Sequence, residues 1–218
     1  MSRQSLGILA LLGSVFLFTL MDATGKHLTE RYHPGQIIWA RMALNLVIVL
    51  VILAPRLGQV IRSRSPALQV GRGLTQVASI GLFFTALPFI GLAEATAIMD
   101  INPVLITLGA ALFLGERIGL RRIAGITAAL AGALIVIRPG AGVFQPAALL
   151  PLMAAITYAA GAIMTRLVRG DGTATSILWS TGVATLGASF VAPFVWQPIA
   201  AGDLWAFAAM GLLGTLAQ

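Results

Sequence analysis

No cysteine occurs among the 218 residues. Disulfides, thiolate metal sites and thiol nucleophiles are therefore excluded. Charge is nearly as scarce: 10% of the residues are Asp, Glu, Lys or Arg, against about 25% in an ordinary soluble domain. That scarcity excludes a water-facing globule. Enzyme signatures are missing too. There is no Gly-x-Ser-x-Gly elbow, no His-Glu-x-x-His, no phosphate loop and no dinucleotide fingerprint. The two histidines, His27 and His33, fall in one short loop without thiol or carboxylate company, and read as solvated. No cofactor, no metal and no enzymatic activity are expected.

What is present is apolar chain. Hydrophobic residues make up 58%, and the mean hydropathy is +0.95. Eight stretches of roughly 15–20 apolar residues each approach the length that crosses a bilayer core of about 30 Å. They run Leu6–Thr24, Gly35–Leu53, Gly73–Ile90, Ala95–Leu114, Ile123–Ile137, Ala147–Thr165, Thr175–Val195 and from near Leu204 onward. The fold class is an all-α membrane protein, a polytopic helical bundle in contact with lipid. The first stretch lacks an Ala-x-Ala cleavage site before the next charges, and reads as a retained span.

The net charge is +7, which in a soluble protein would suggest nucleic acid. Here the basic residues lie mostly in short loops, so they orient the chain and imply no nucleic-acid partner. With the N-terminus cytoplasmic, Arg3, Arg56, Arg62, Arg64, Arg72, Arg117, Arg121, Arg122, Arg166 and Arg169 lie inside. Lys26, Arg31 and Arg138 lie outside. Such an excess of inside Lys and Arg fixes the orientation. The connection Arg56–Arg72 reads as a basic stretch lying on the membrane surface.

Shifting the chain by 140 residues lays Ile37-Ile38-Trp39 on Ile177-Leu178-Trp179. The same shift puts Lys26 on Arg166, Leu12 on Leu152 and Leu46 on Leu186. Each unit opens with a span, a polar break and a second span beginning near a Trp. The first unit starts outward and the second inward, so the repeat is inverted, a construction used by secondary transporters. The units are residues 1–140 and 141–218. A complete pair would need roughly 60–70 further residues to hold its remaining spans. The chain is therefore expected to be a fragment or a truncated product.

Certain motifs in order carry a family resemblance. They are Met21-Asp22-Ala23 with Lys26, Ile38-Trp39-Ala40-Arg41, Leu92-Ala93-Glu94-Ala95-Thr96-Ala97, Asn102-Pro103, Leu114-Gly115-Glu116-Arg117, and the run Gly132 to Gly140. The sequence resembles the EamA-type transporters of the drug/metabolite transporter superfamily. The resemblance implies a bacterial inner-membrane protein with two inverted five-helix repeats, of which this chain holds about eight spans. It also implies a central path for small organic metabolites, moved by alternating access.

Charged and polar residues inside the spans are the candidate cavity residues: Arg41, Asp100, Asn102, Asn45, Asp22 and Tyr158. At about 1.5 Å of rise per residue, Arg41 lies about 10 Å below Pro34, and Asp100 about 9 Å from Glu94. Buried charge at such depths faces the bundle interior or water. Arg41 is expected to pair with Asp100 or Asp22, beside a polar cavity or as a structural ion pair. Pro103 frees the carbonyl of Met99 and gives Asp100 and Asn102 polar company, or it simply kinks the helix. Pro88 reads as a kink. Asp22 and Lys26, four apart, read as a helical pair. Glu94 suits the first turn of a helix. Asn45 and Tyr158 either bond a solute or bridge helices.

Gly125, Ala128, Ala129 and Gly132 form a small-residue stripe for close helix approach, within the bundle or across a homodimer. Trp39, Trp179, Trp196 and Trp205 read as an aromatic belt. Proton coupling through Asp22, Asp100 or Glu94 is an open reading. The rival to a transporter is a non-transporting or partner-dependent membrane subunit.

Overall fold

The computed structural model describes residues 3–116, 119–137, 146–168 and 170–217. Arg117, Arg138, Arg169, Gly140 and the boundary between the two expected units lie outside them. The side chains of Arg3, Arg121, Arg122 and Ala129 are also outside the described set.

Ten α-helices occur among the described residues. They are α1 (Arg3–Leu28), α2 (Pro34–Leu53), α3 (Leu57–Val60), α4 (Pro66–Ala86) and α5 (Leu92–Met99). The rest are α6 (Asn102–Leu114), α7 (Leu120–Ile137), α8 (Leu149–Leu167), α9 (Thr173–Ser189) and α10 (Leu204–Leu216). With α5 and α6 taken together and α3 as a surface turn, the helices fall on the eight apolar stretches of the sequence. Five stretches are long and apolar enough to cross a membrane by themselves: Ser5–Leu28, Pro34–Val60, Leu92–Leu114, Pro146–Leu167 and Thr173–Phe194. The protein is a multi-pass membrane protein. Leu9, Leu12 and Phe16 of α1 and Leu112 and Phe113 of α6 are exposed, which is the surface lipid covers.

Local chemistry sets the helix ends. Pro34 opens α2, where its missing amide costs no hydrogen bond. His33 is the N-cap and its Nδ1 accepts from the Gly35 amide at 3.1 Å, so it holds a helix start instead of being merely solvated. Gly115 closes α6 at φ 68°, a left-handed conformation that glycine adopts without strain. The turn it makes brings Glu116 to Arg166, whose Nη1 donates to both carboxylate oxygens at 3.0 and 2.9 Å.

Three expectations are corrected. The span through Asp100 and Pro103 is not one helix. The Asp100 amide makes the last α5 bond to Thr96 O (2.9 Å), and Val104 and Leu105 restart on Ile101 O (3.0 and 3.1 Å). Pro103, without an amide, fits the opening turn of α6, so one helix ends and another begins where a single span with a freed carbonyl or a kink was expected. The third span starts seven residues early, at Pro66. It ends at Ala86, with the Leu87 amide on Phe84 O at 3.3 Å, so Pro88 follows a helix end instead of kinking one. Arg72 accordingly lies within α4, half-buried, donating to Gln69 Oε1 at 2.8 Å, and the surface-lying basic connection is shorter than expected.

Helix α4 packs on α8 and α9, α1 and α2 pack on α10, and α2 crosses α9. On the flank, α5 and α6 lean on α8, and α7 on α5. Met21, Ile37, Met42, Phe84, Leu87 and Met210 fill the centre. Glycine permits the tightest approaches: a Cβ on Gly211 would lie 2.3 Å from Leu44 Cδ2, and one on Gly73 2.4 Å from Val183 Cβ. Gly125, Ala128 and Gly132 of α7 are exposed, so these three are not spent on close packing inside the bundle.

Candidate functional site

The crossing of α2 and α9 carries the buried polar side chains. Thr185 Oγ1 of α9 donates to the Met42 carbonyl of α2 at 3.0 Å, which fixes the register of the crossing. Beside Met42 is Arg41, only 5% exposed, and one turn along is Asn45, 1% exposed. One turn before Thr185 is Thr181, also 1% exposed. Three of these residues keep a buried polar atom without a hydrogen-bond partner: Arg41 Nε, Asn45 Oδ1 and Thr181 Oγ1. Buried polar atoms are ordinarily paired, and those left over concentrate at places with work to do.

Asp22 follows Met21 on α1, and Met21 and Arg41 both border Gly214 of α10. Neither expected partner, Asp22 or Asp100, makes an ion pair or a hydrogen bond with Arg41 among the described residues. The approach of α10 is close: a Cβ on Gly214 would lie 3.1 Å from Met21 Sδ and 3.4 Å from Arg41 Nε. Helices α1, α2 and α10 therefore meet tightly around the Arg41 side chain. Lys26 does not pair with Asp22 as expected. Its Nζ donates to the Leu87 carbonyl, tying the end of α1 to the end of α4.

The remaining candidates lie elsewhere. Asp100 is exposed at the α5–α6 break, and half-buried Asn102 leaves its Oδ1 without a partner. Tyr158 is 51% exposed on α8. Glu94 occupies the first turn of α5, as the helix dipole favours. A cleft of about 430 Å³ runs between α6, α7 and α8, lined by Pro103, Ile106, Thr107, Gly125, Ile126 and Arg166. Arg166 is held there by Glu116, so the cleft wall is mainly apolar.

Sequence reasoning missed two polar clasps at opposite ends of the bundle. At the end where α2 begins, Asp203 Oδ2 accepts from Tyr32 Oη (2.8 Å) and Arg31 Nη1 (3.1 Å). Beside it, Gln36 exchanges two bonds with the Gln197 backbone, at 2.7 and 2.9 Å. Trp39 Nε1 donates to Ser189 Oγ at 2.9 Å, and its ring meets Trp196 edge-on at 5.3 Å. At the end where α2 finishes, Asp171 accepts from Ser63 Oγ (2.5 Å), the Arg64 amide (2.8 Å) and Gln69 Nε2 (2.9 Å). Trp179 Nε1 donates to the Ile61 carbonyl at 3.0 Å. Two of the four belt tryptophans thus stitch loops down. The Arg64 amide and the Ser63 and Gln69 side chains hold the Asp171 carboxyl below its ordinary range. The Tyr32 hydroxyl and then Arg31 do so for Asp203.

Residues 5–138 match the EamA-like transporter family. The chain belongs to this family. Its members are transporters and not enzymes. A riboflavin transporter of Rhizobium johnstonii is 32% identical over 159 residues, which is 67% of this chain and 51% of that protein. This EamA-like chain thus matches about half the length of that relative. The pseudopaline exporter CntI of Pseudomonas aeruginosa is 27% identical over 218 residues, covering 97% of this chain and 75% of the exporter. A riboflavin transporter of Vibrio cholerae is 24% identical over 178 residues, 79% of this chain and 60% of that one. A crystal structure of a protein 22% identical in sequence superposes with a TM-score of 0.69, over 99% of this chain and 77% of the other. It shows the same fold.

Proposed function

We propose that the protein moves small polar organic solutes across the bacterial inner membrane by alternating access between two inverted units, residues 1–140 and 141–218. The N-terminus is cytoplasmic on this reading, which follows the bias of Lys and Arg in the loops. The observation that carries the proposal is the set of unpartnered polar atoms of Arg41, Asn45 and Thr181 where the units cross. A buried guanidinium in a membrane marks a solute or ion path more readily than a packing device. The packing supports the repeat: exchanging α1, α2 and α4 for α8, α9 and α10 turns each observed α4–α8 or α4–α9 contact into an observed α10–α1 or α10–α2 contact.

Arg41, Asn45, Thr181 and Asp22 form the solute anchor, with Asp22 the proton-coupling candidate. Asp100 and Asn102 at the α5–α6 break and Tyr158 on α8 are the remaining cavity candidates. The substrate class follows the relatives' solutes, riboflavin among them. Uptake of radiolabelled riboflavin and a panel of amino-acid and nucleoside solutes into proteoliposomes tests the reading. At least one solute is expected to accumulate, and Arg41→Ala is expected to abolish that uptake at equal incorporation. Flux unaffected by Arg41→Ala and Asn45→Ala overturns the site. Solute binding without flux would favour a membrane subunit completed by a partner.

A further inference from the structure

The two clasps obey the same sequence offset as the tryptophans. The shift of 140 residues that lays Trp39 on Trp179 also lays Arg31 on Asp171 and Ser63 on Asp203. The Arg31–Asp203 contact and the Asp171–Ser63 contact are therefore one contact, made twice. Each joins the first loop of one unit to the second loop of the other. Helix α2, 20 residues long, separates them by about 30 Å, so they lie at opposite ends of the bundle.

We propose that Asp203 and Asp171 are the latches of an external and a cytoplasmic gate, released one at a time during transport. The inference rests on the transporter reading and adds its gating residues. Between the two mouths lies the α2–α9 crossing with Arg41, Asn45 and Thr181, so a solute reaches those residues only past one clasp. Every bond in each clasp spans the two units. Parting the units at one face must break that face's set and can leave the other intact.

The chemistry also differs between the mouths. The external latch is an ion pair plus a phenol, with Arg31 reaching in from solvent. The cytoplasmic one is a carboxylate held by neutral donors from a single short turn and from Gln69, which also donates to Ser176 Oγ at 3.1 Å. Charge-assisted bonds of both kinds are the stronger class, which suits contacts that must hold a mouth shut against thermal opening.

The absence of cysteine makes the test direct. Ser180→Cys places a single thiol on α9, buried, with its backbone carbonyl against α4 at Gly73. A membrane-impermeant maleimide is added to right-side-out and to inside-out vesicles. In the Ser180→Cys background alone, labelling is expected to be slow from both sides. Adding Asp203→Ala is expected to raise labelling about tenfold from the external side only, and Asp171→Ala about tenfold from the cytoplasmic side only. Tyr32→Phe, which keeps Arg31 on Asp203, is expected to give a smaller external rise and covers the case in which Asp203→Ala fails to fold. No rise in any folded variant, or a rise on the wrong side, overturns the gating assignment. Because labelling needs no solute, its outcome is independent of flux. Solute flux with unchanged labelling would defeat the latches alone, whereas side-specific labelling without flux would defeat the transport reading alone.

Discussion

Trp39 and Trp179, 140 residues apart, each send an indole N–H to the far end of the other's helix. Trp39 in α2 reaches Ser189 at the end of α9, and Trp179 in α9 reaches the Ile61 carbonyl beyond the end of α2. The two helices cross once in the middle, at Met42 and Thr185, and are pinned at both extremities. A pair pinned in this way resists sliding while still allowing one end to part from the other.

Trp39→Phe removes one hydrogen bond, worth about 0.5–1.5 kcal/mol, and weakens an edge-on ring contact of about 0.5–1.5 kcal/mol. Trp179→Phe removes the hydrogen bond alone, so its effect on unfolding in detergent is expected to be the smaller. Because the two indoles act at opposite ends of the bundle, the double variant should lose the sum of the two within about 0.5 kcal/mol. A markedly smaller loss would mean that the two pins are not independent.

Asp203 gives the protein an acid limb of defined sign. Its carboxyl is held below the ordinary range by Tyr32 and Arg31. The stability it contributes is therefore complete above the unfolded carboxylate value of about 3.9. It is lost as pH falls through the lower folded value. Melting followed by tryptophan fluorescence from pH 7 to pH 3 should show Asp203→Asn less stable than the parent at pH 7. The gap between the two should narrow towards the acid end. Curves that stay parallel over the whole range would show that the carboxylate charge at this position contributes nothing.

The sequence made the spans legible because hydrophobic length and loop charge are local signals. Helix α2 was readable almost to the residue, since Pro34 and the apolar run to Leu53 mark both ends. The break at Asp100 was half legible: Pro103 announced a lost amide, but whether the helix bends or restarts depends on what packs beside it. The clasps were not read, because Gln36 and Gln197, or Gln69 and Asp171, are separated by more than a hundred residues and meet only through the fold. One signal was available. The offset that aligns the tryptophans also sets Arg31 over Asp171 and Ser63 over Asp203, two alignments of unlike residues that a search for identity passes over.

Arg41 and Asp22 carry opposite charges on helices that both pack against α10, and each is expected to be costly when the other is removed. Leaving a buried charge without a counter-charge is costly, and Arg41, Asn45 and Thr181 already keep unsatisfied polar atoms. Asp22→Asn and Arg41→Gln, measured singly by unfolding in detergent, should each destabilise the protein. Combined, they should cost less than their sum, by about 1–3 kcal/mol, because the double variant carries no stranded charge. The same four proteins separate stability from transport. The neutral double variant should recover much of the fold but none of the flux, since the solute loses the Arg41 guanidinium in either case. Additive losses would show that the two charges do not interact. Recovery of flux with the fold would reduce Arg41 to a structural partner of Asp22.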